Sequence, residues 1–200
     1  MPVTVLGLAG SPRRRGNTAL LLDRALEGAV AAGAAVQRVE LARLRIVPCI
    51  ACNGCHQEGV CVVRDDYQTV FPQLLAADAL ILASPIYFLG VTAWAKAFID
   101  RCQCLWVRKY ILHRPLPPTS DGRPRRAAFL STAGSRRTPF EGVRATVRAW
   151  LQTLDAVYLG DVLRRDVDAP GAIREDPTAL DEAYRLGGAL VDNRTTDRTG

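Results

Sequence analysis

Val3-Thr4-Val5-Leu6-Gly7-Leu8 runs through Ala9-Gly10-Ser11-Pro12-Arg13-Arg14-Arg15-Gly16 into Asn17-Thr18-Ala19-Leu20-Leu21-Leu22. The first six residues are apolar and β-prone, and the middle is a cluster of small residues, proline and arginine. Apolar residues then recur at helical spacing through Ala25, Leu26 and Ala29. This reads as strand, loop and helix. Gly33 stops the helix, and residues 35–41 supply a second strand. Beyond a cysteine-rich segment at 48–61, a helix at 67–76 leads to Ala79-Leu80-Ile81-Leu82-Ala83, whose unbroken apolar character suits a strand buried on both faces. Residues 91–107 carry Val91, Trp94, Ala95, Phe98, Ile99, Cys102 and Leu105 at helical spacing. Residues 112–126, rich in Pro and Arg, read as a surface loop, followed by a fourth strand at 127–131 and a helix at 140–154. A fifth strand at 157–163 and a helix at 177–192 complete the series, and the polar residues 193–200 read as a disordered tail.

Strands alternating with helices predict an α/β fold, a doubly wound parallel sheet of five strands with helices on both faces and right-handed crossovers. A single domain over 1–192, with a cysteine insertion at 48–61, accounts for the whole pattern. Ligands in such sheets sit beyond the C-terminal ends of the strands, so chemistry is expected in the loops after strands 1, 3 and 4.

The 200-residue length suits one compact domain, and a hydrophobic fraction of 48% excludes a disordered chain. The formal net charge is +6, and every basic residue except Lys96 and Lys109 is arginine. Arginine suits phosphate recognition, but alanine is abundant too, and a coding preference explains both. The arginines are scattered among 20 acidic residues without a recognised binding motif, so no nucleic-acid partner is expected. The most apolar stretch, 76–91, holds Asp78 and Pro85 and is shorter than the roughly 18–20 residues of a membrane span. No membrane association is expected. The first residues lack the pattern of a secretory signal, which points to the cytoplasm and away from a disulfide framework.

The loop after strand 1 contains neither G-x-G-x-x-G nor a Walker lysine, which argues against a dinucleotide Rossmann loop and an NTPase P-loop. It does place hydroxyl and small residues at a helix N-terminus, where unpaired amides and the helix dipole favour an anion. Ser11, Asn17 and Thr18 would add side-chain donors and Arg13 countercharge; an ordinary capped turn would use the same residues.

Gly10-Ser11-Pro12-Arg13, with Gly16-Asn17-Thr18 three residues on, resembles the phosphate loop of the flavodoxin-like NAD(P)H-dependent FMN reductases. Ser84-Pro85-Ile86-Tyr87-Phe88-Leu89-Gly90, followed by Lys96-Ala97-Phe98-Ile99-Asp100-Arg101, is similar to that family's second signature, and Thr132-Ala133-Gly134 to its third loop. The resemblance implies strand order 2-1-3-4-5 and an FMN phosphate held by Ser11, Arg13, Gly16, Asn17 and Thr18. It further implies a flavin lined by Pro85, Ile86, Tyr87, Phe88 and Leu89, closed over by Thr132, Ala133 and Gly134, with NAD(P)H as a possible electron donor. Taken without their neighbours, Tyr87 and Phe88 would read as plain core or interface aromatics.

Cys49, Cys52, Cys55 and Cys61 form C-x2-C-x2-C-x5-C. Three closely spaced thiolates from one tight loop, with a fourth from a short excursion, suit an iron–sulfur cluster. A zinc ribbon normally uses two separated C-x2-C pairs. Redox-active free thiols and a zinc or purely structural role remain the alternatives. The segment beside a flavodoxin-like pattern resembles the iron–sulfur flavoproteins, which implies a [4Fe–4S] cluster on those four cysteines. Cys102 and Cys104, two apart on a helix, are expected to face different sides, with Cys102 packed in the core. Asp65 and Asp66 are expected to begin the next helix as dipole-matched caps, and His56 to be a solvated loop residue.

The expected protein is an FMN-dependent oxidoreductase or electron-transfer flavoprotein coupling FMN to a [4Fe–4S] cluster, passing electrons to a redox partner protein or a small-molecule acceptor as a homodimer or homotetramer. A clusterless NAD(P)H-dependent FMN or quinone reductase, and a flavin-binding electron carrier without its own turnover, are the competing readings. No Ser/His/Asp constellation or paired-carboxylate signature supports hydrolysis, and no catalytic acid or base is assigned. With no length left for a second domain, both redox centres are expected on one sheet edge.

Overall fold

The computed structural model describes residues 2–192; the expected disordered tail, 193–200, lies outside the described residues. Five strands form one parallel sheet in the order β2-β1-β3-β4-β5: β1 (Thr4–Ala9), β2 (Ala35–Glu40), β3 (Ala79–Ala83), β4 (Arg125–Thr132) and β5 (Ala156–Arg164). Neighbours pair in parallel register, from Thr4 opposite Ala35 at one edge to Thr132 opposite Arg164 at the other, with a bulge at Ala127/Ala128. Central β3 and β4 are buried along their whole length, whereas edge strand β2 is largely exposed. That contrast is what helices on both faces impose on the middle of a parallel sheet.

Helices α1 (Asn17–Ala31) and α6 (Pro177–Ala189) cover one face, burying Leu21, Leu22, Ala25, Ala179 and Ala183 against Val5, Ile81 and Leu130. Helices α2 (Tyr67–Ala76), α3 (Ala93–Arg101) and α5 (Glu141–Gln152) cover the other, with Tyr67, Phe98 and Trp150 stacked in tilted and edge-on pairs. A single turn, α4 (Gln103–Trp106), widens into a π turn at Val107–Ile111. The continuous helix expected over 91–107 is therefore broken at Cys102, whose backbone (φ −72, ψ 3) leaves helical geometry.

A second departure concerns β4, which starts at Arg125, inside the stretch expected to be surface loop. Arg125 and Arg126 are both buried. The Arg125 guanidinium donates to the carbonyls of Ala77 (2.7 Å) and Leu75 (2.8 Å), and Arg126 Nη2 pairs with Asp121 (2.8 Å). Donors matched to carbonyls at the end of α2 let charged residues enter a strand that an apolar count would end sooner.

The α1/α6 contact is backbone-close: a Cβ at Gly187 would fall on the carbonyl of Ala25, and one at Gly28 on that of Tyr184. Gly187→Ala is expected to push the helices apart and destabilise the protein by roughly 1–3 kcal/mol or more. Urea unfolding monitored by circular dichroism reads this as a lowered midpoint.

Candidate functional site

Four strand ends are stitched together at the C-terminal edge of the sheet. Gly10 N donates to Ala83 O (2.7 Å), Ile86 N to Thr132 O (3.0 Å) and Val167 N to Ala133 O (3.1 Å). Thr92 Oγ1 donates to Gly10 O (2.6 Å) while accepting from Ala95 N (3.3 Å), which caps α3 and fixes it to the end of β1. Ser11, Arg13, Gly16, Asn17, Thr18, Pro85, Ile86, Tyr87, Thr132 and Gly134 consequently share one cleft of about 90 Å³. Its floor is the first turn of α1, whose amides have no intrahelical partners. The last turn of the cleft comes from after β5, where Val167 and Asp168 also line it. No signal in the sequence marked that segment. Asp168 packs where a Cβ on Gly134 would crowd it at 3.0 Å, and Arg13 reaches the Asp168 carbonyl at 3.4 Å.

Three expected site residues do not line this cleft, and a fourth, Asn17, lines it with its amide engaged by the chain. Ala133 is buried behind the cleft, and Phe88 and Leu89 sit outside it at the tip of a turn closed by Tyr87 and Gly90. Both take left-handed backbone angles (φ 48 and 63), and Phe88 is fully exposed. Asn17, expected to offer its side chain to a phosphate, instead spends it on the chain. Its Nδ2 donates to Ala169 O (3.0 Å) and its Oδ1 accepts from Ile173 N (3.2 Å), tying the post-β5 loop to α1.

Cys49, Cys52, Cys55 and Cys61 line a separate cavity of about 210 Å³ together with Ile50, Val62, Val63, His56, Arg101 and Cys104. Left-handed residues Ala51 (φ 52) and Asn53 (φ 58) turn the loop between the first three cysteines, and Gly59 (φ 68) turns it before the fourth. A Cβ at Gly54 would press to 2.5 Å of Val62, so the close approach of the two limbs needs glycine there. Cys49 and Cys52 are exposed, Cys55 and Cys61 half-buried. Burial, reinforced by the nearby Cys61, Cys49 and Cys52 sulfurs, pushes the Cys55 thiol up. Among the described residues, no group of three or more His, Cys, Asp or Glu side chains is placed to hold a metal ion.

Behind this loop lies a buried polar layer. Arg101 Nε donates to Cys61 Sγ (3.2 Å), and its other nitrogens bind Val47 O (2.9 Å), Val63 O (3.0 Å) and Asp65 Oδ2 (2.5 Å). Burial opposes ionisation of Asp65, but hydrogen bonds from Arg101, Val47 N and Tyr67 N outweigh it and hold the carboxyl below its usual range. Asp65 thus does more than begin α2: it also anchors the cysteine segment. Cys102 and Cys104, expected on different sides, both reach Tyr67 Oη (3.6 and 3.5 Å), because the helix break lets them converge. Burial pushes their thiols up to about 12 and about 11.

The cleft and the cysteine cavity do not share a rim. Thr92 sits beside the cleft and Arg101 beside the cavity, nine residues and about 14 Å of helix axis apart. The cysteine segment connects the C-terminal end of β2 to the start of α2, and within it the cavity lies against the last turn of α3.

The profile of the family described as NADPH-dependent FMN reductase matches residues 3–166. An iron-sulfur flavoprotein of Methanocaldococcus jannaschii is 42% identical over 188 residues, covering 94% of this chain and 95% of its own length. An iron-sulfur flavoprotein of Methanosarcina thermophila is 29% identical over 157 residues, 78% of this chain and 77% of its own. Among solved structures, an NAD(P)H:quinone oxidoreductase from Methanothermobacter marburgensis superposes with a TM-score of 0.68 at 20% identity, over 95% of this chain and 98% of that one, a likeness of fold. No helix among the described residues is long and apolar enough to cross a membrane.

Two outcomes follow from this geometry. Asn17→Ala removes the amide that holds Ala169 and Ile173 and is expected to cost about 1–3 kcal/mol and to open the post-β5 loop; thermal unfolding and limited proteolysis of the ligand-free protein measure both. In metal-free protein at pH 8, iodoacetamide is expected to modify exposed Cys49 and Cys52 and to spare Cys102 and Cys104, which stay protonated well above that pH. Peptide mass spectrometry reads the pattern.

Proposed function

The chain belongs to the NADPH-dependent FMN reductase family, and we propose that within it the protein is an electron-transfer flavoprotein whose FMN works with a [4Fe–4S] cluster held by Cys49, Cys52, Cys55 and Cys61. FMN-dependent oxidoreduction is what the family's description gives, and a relative matched along most of its length is a flavoprotein. The finer reading is carried by one observation: the four thiols of C-x2-C-x2-C-x5-C line one cavity, and a buried guanidinium donates to the sulfur of the fourth. A donor set dominated by thiols, on a largely apolar cavity wall that also carries His56, suits a polynuclear iron–sulfur group better than a single ion. Strong identity along nearly the whole length of an iron-sulfur flavoprotein supports the same reading.

The chain's own residues supply binding and orientation. The first-turn amides of α1, with the Ser11 and Thr18 hydroxyls and the Arg13 guanidinium, suit a phosphate. Pro85, Ile86 and Tyr87 offer an apolar and aromatic wall for the flavin ring, and Thr132 and Gly134 the opposite lip. Gly134 has no side chain to fill the lip, and Asp168 stands behind it. When bound, FMN takes up electrons in pairs from NAD(P)H and can release them singly, while a cluster carries one at a time.

Exposed Phe88, Leu89, Trp94, Trp106 and Tyr110 support assembly into a homodimer or homotetramer. The electron acceptor is a redox protein or a small molecule, and a reducing cytoplasm suits six free cysteines.

Anaerobic purification followed by flavin, iron and acid-labile sulfide assay tests the proposal. The expected result is one FMN with a four-iron cluster per chain, and absorption that bleaches in two distinguishable parts on dithionite. Cys52→Ala is expected to lose the iron and keep the FMN. Iron-free protein with full NAD(P)H-dependent quinone reduction makes it a clusterless reductase, and negligible NAD(P)H oxidation makes it a carrier.

A further inference from the structure

We propose that Arg101 is a positioning residue that sets the reduction potential of the cluster in the cysteine cavity, its guanidinium favouring the reduced state through the N–H···S bond to Cys61. The inference rests on the cluster reading above and extends it from the ligands to the charge behind them. The Arg101 side chain has no exposed surface. Each of its nitrogens is engaged, and every acceptor belongs to residues 47–65, the segment that carries the cysteines. The cation also lies 4.7 Å over the Tyr67 ring, itself fully buried. A charge clamped this way cannot swing away from the cavity.

Reduction adds one electron to a group already carrying four thiolates and changes no bond or proton count. A buried cation in hydrogen-bond contact with a ligand sulfur stabilises the more negative state, and a nearby carboxylate opposes it. Asp65 is that carboxylate, joined to Arg101 at 2.5 Å. Arg101 and Asp65 therefore pull the potential in opposite directions, although they cooperate in holding the loop. A purely structural pair would behave alike when either partner is changed.

The test uses anaerobically prepared holoprotein, wild type, Arg101→Gln, Arg101→Lys and Asp65→Asn, with iron, sulfide and FMN counted before a spectroscopic redox titration of the cluster. Arg101→Gln is expected to lower the reduced-to-oxidised ratio at fixed potential at least tenfold, 59 mV for one electron. Asp65→Asn is expected to raise it, and Arg101→Lys to fall between Arg101→Gln and wild type. Reduced-to-oxidised ratios within twofold of wild type, or shifts of the same sign in Arg101→Gln and Asp65→Asn, overturn the inference while leaving the cluster reading intact. Should Arg101→Gln lose its iron, Asp65→Asn decides by rising or not, and loss of iron from both overturns the inference in favour of a structural pair. Wild-type protein without iron and sulfide overturns the cluster reading and this inference together.

Discussion

Thr92 is the joint on which the arrangement turns. Its backbone amide donates to Ser84 Oγ (3.0 Å) and its hydroxyl to the Gly10 carbonyl, so one buried residue ties the end of β3, the end of β1 and the start of α3. Because parallel strands need long crossovers, their C-terminal ends leave backbone groups to be satisfied by the loops that follow. Here those loops satisfy one another, and the cleft between them is the residue of that packing. The far end of α3 is held as firmly, by Arg101. One nine-residue helix thus runs from beside the cleft to beside the cysteine cavity.

Burying Arg101 is costly in itself, since a guanidinium taken out of water must recover its hydration from fixed partners. The partners come from a segment with little regular structure of its own: Val47 and Val63 carbonyls, the Cys61 sulfur and Asp65. The same contacts that make the charge tolerable also give the cysteine loop its shape. Arg125 solves the equivalent problem differently, against helix-end carbonyls of α2, and there the effect is to extend a strand. Two buried arginines of one chain therefore do unrelated work, and neither stands out among the others in the sequence.

How much was legible depended on whether the signal was local. The strand order and the helices on each face followed from periodicity and a family resemblance, because a central parallel strand such as Ala79–Ala83 has to be apolar throughout. The break at Cys102 was not legible, since apolar spacing continues through it to Leu105; the convergence of Cys102 and Cys104 on Tyr67 depends on a residue about 35 positions away. Asn17 illustrates the same limit. Its type and place suggested a ligand donor, and only the position of Ala169 and Ile173 shows where its amide is spent.

The alternation of strands and helices determined the class of fold, and the loops after strands 1, 3 and 4 with the cysteine spacing determined the family resemblance and the stretches where cofactors would be sought. Those are properties of short windows, in which neighbouring residues share a helix turn, a strand face or a tight loop. Tertiary structure alone decided that Asp168 enters the cleft, that Phe88 and Leu89 stand outside it, and that a buried cation backs the cysteines at the opposite end of α3. The physical reason is that hydrogen bonds and ion pairs across 36 to 156 residues of chain depend on how the layers pack, and spacing along the sequence carries no trace of that distance.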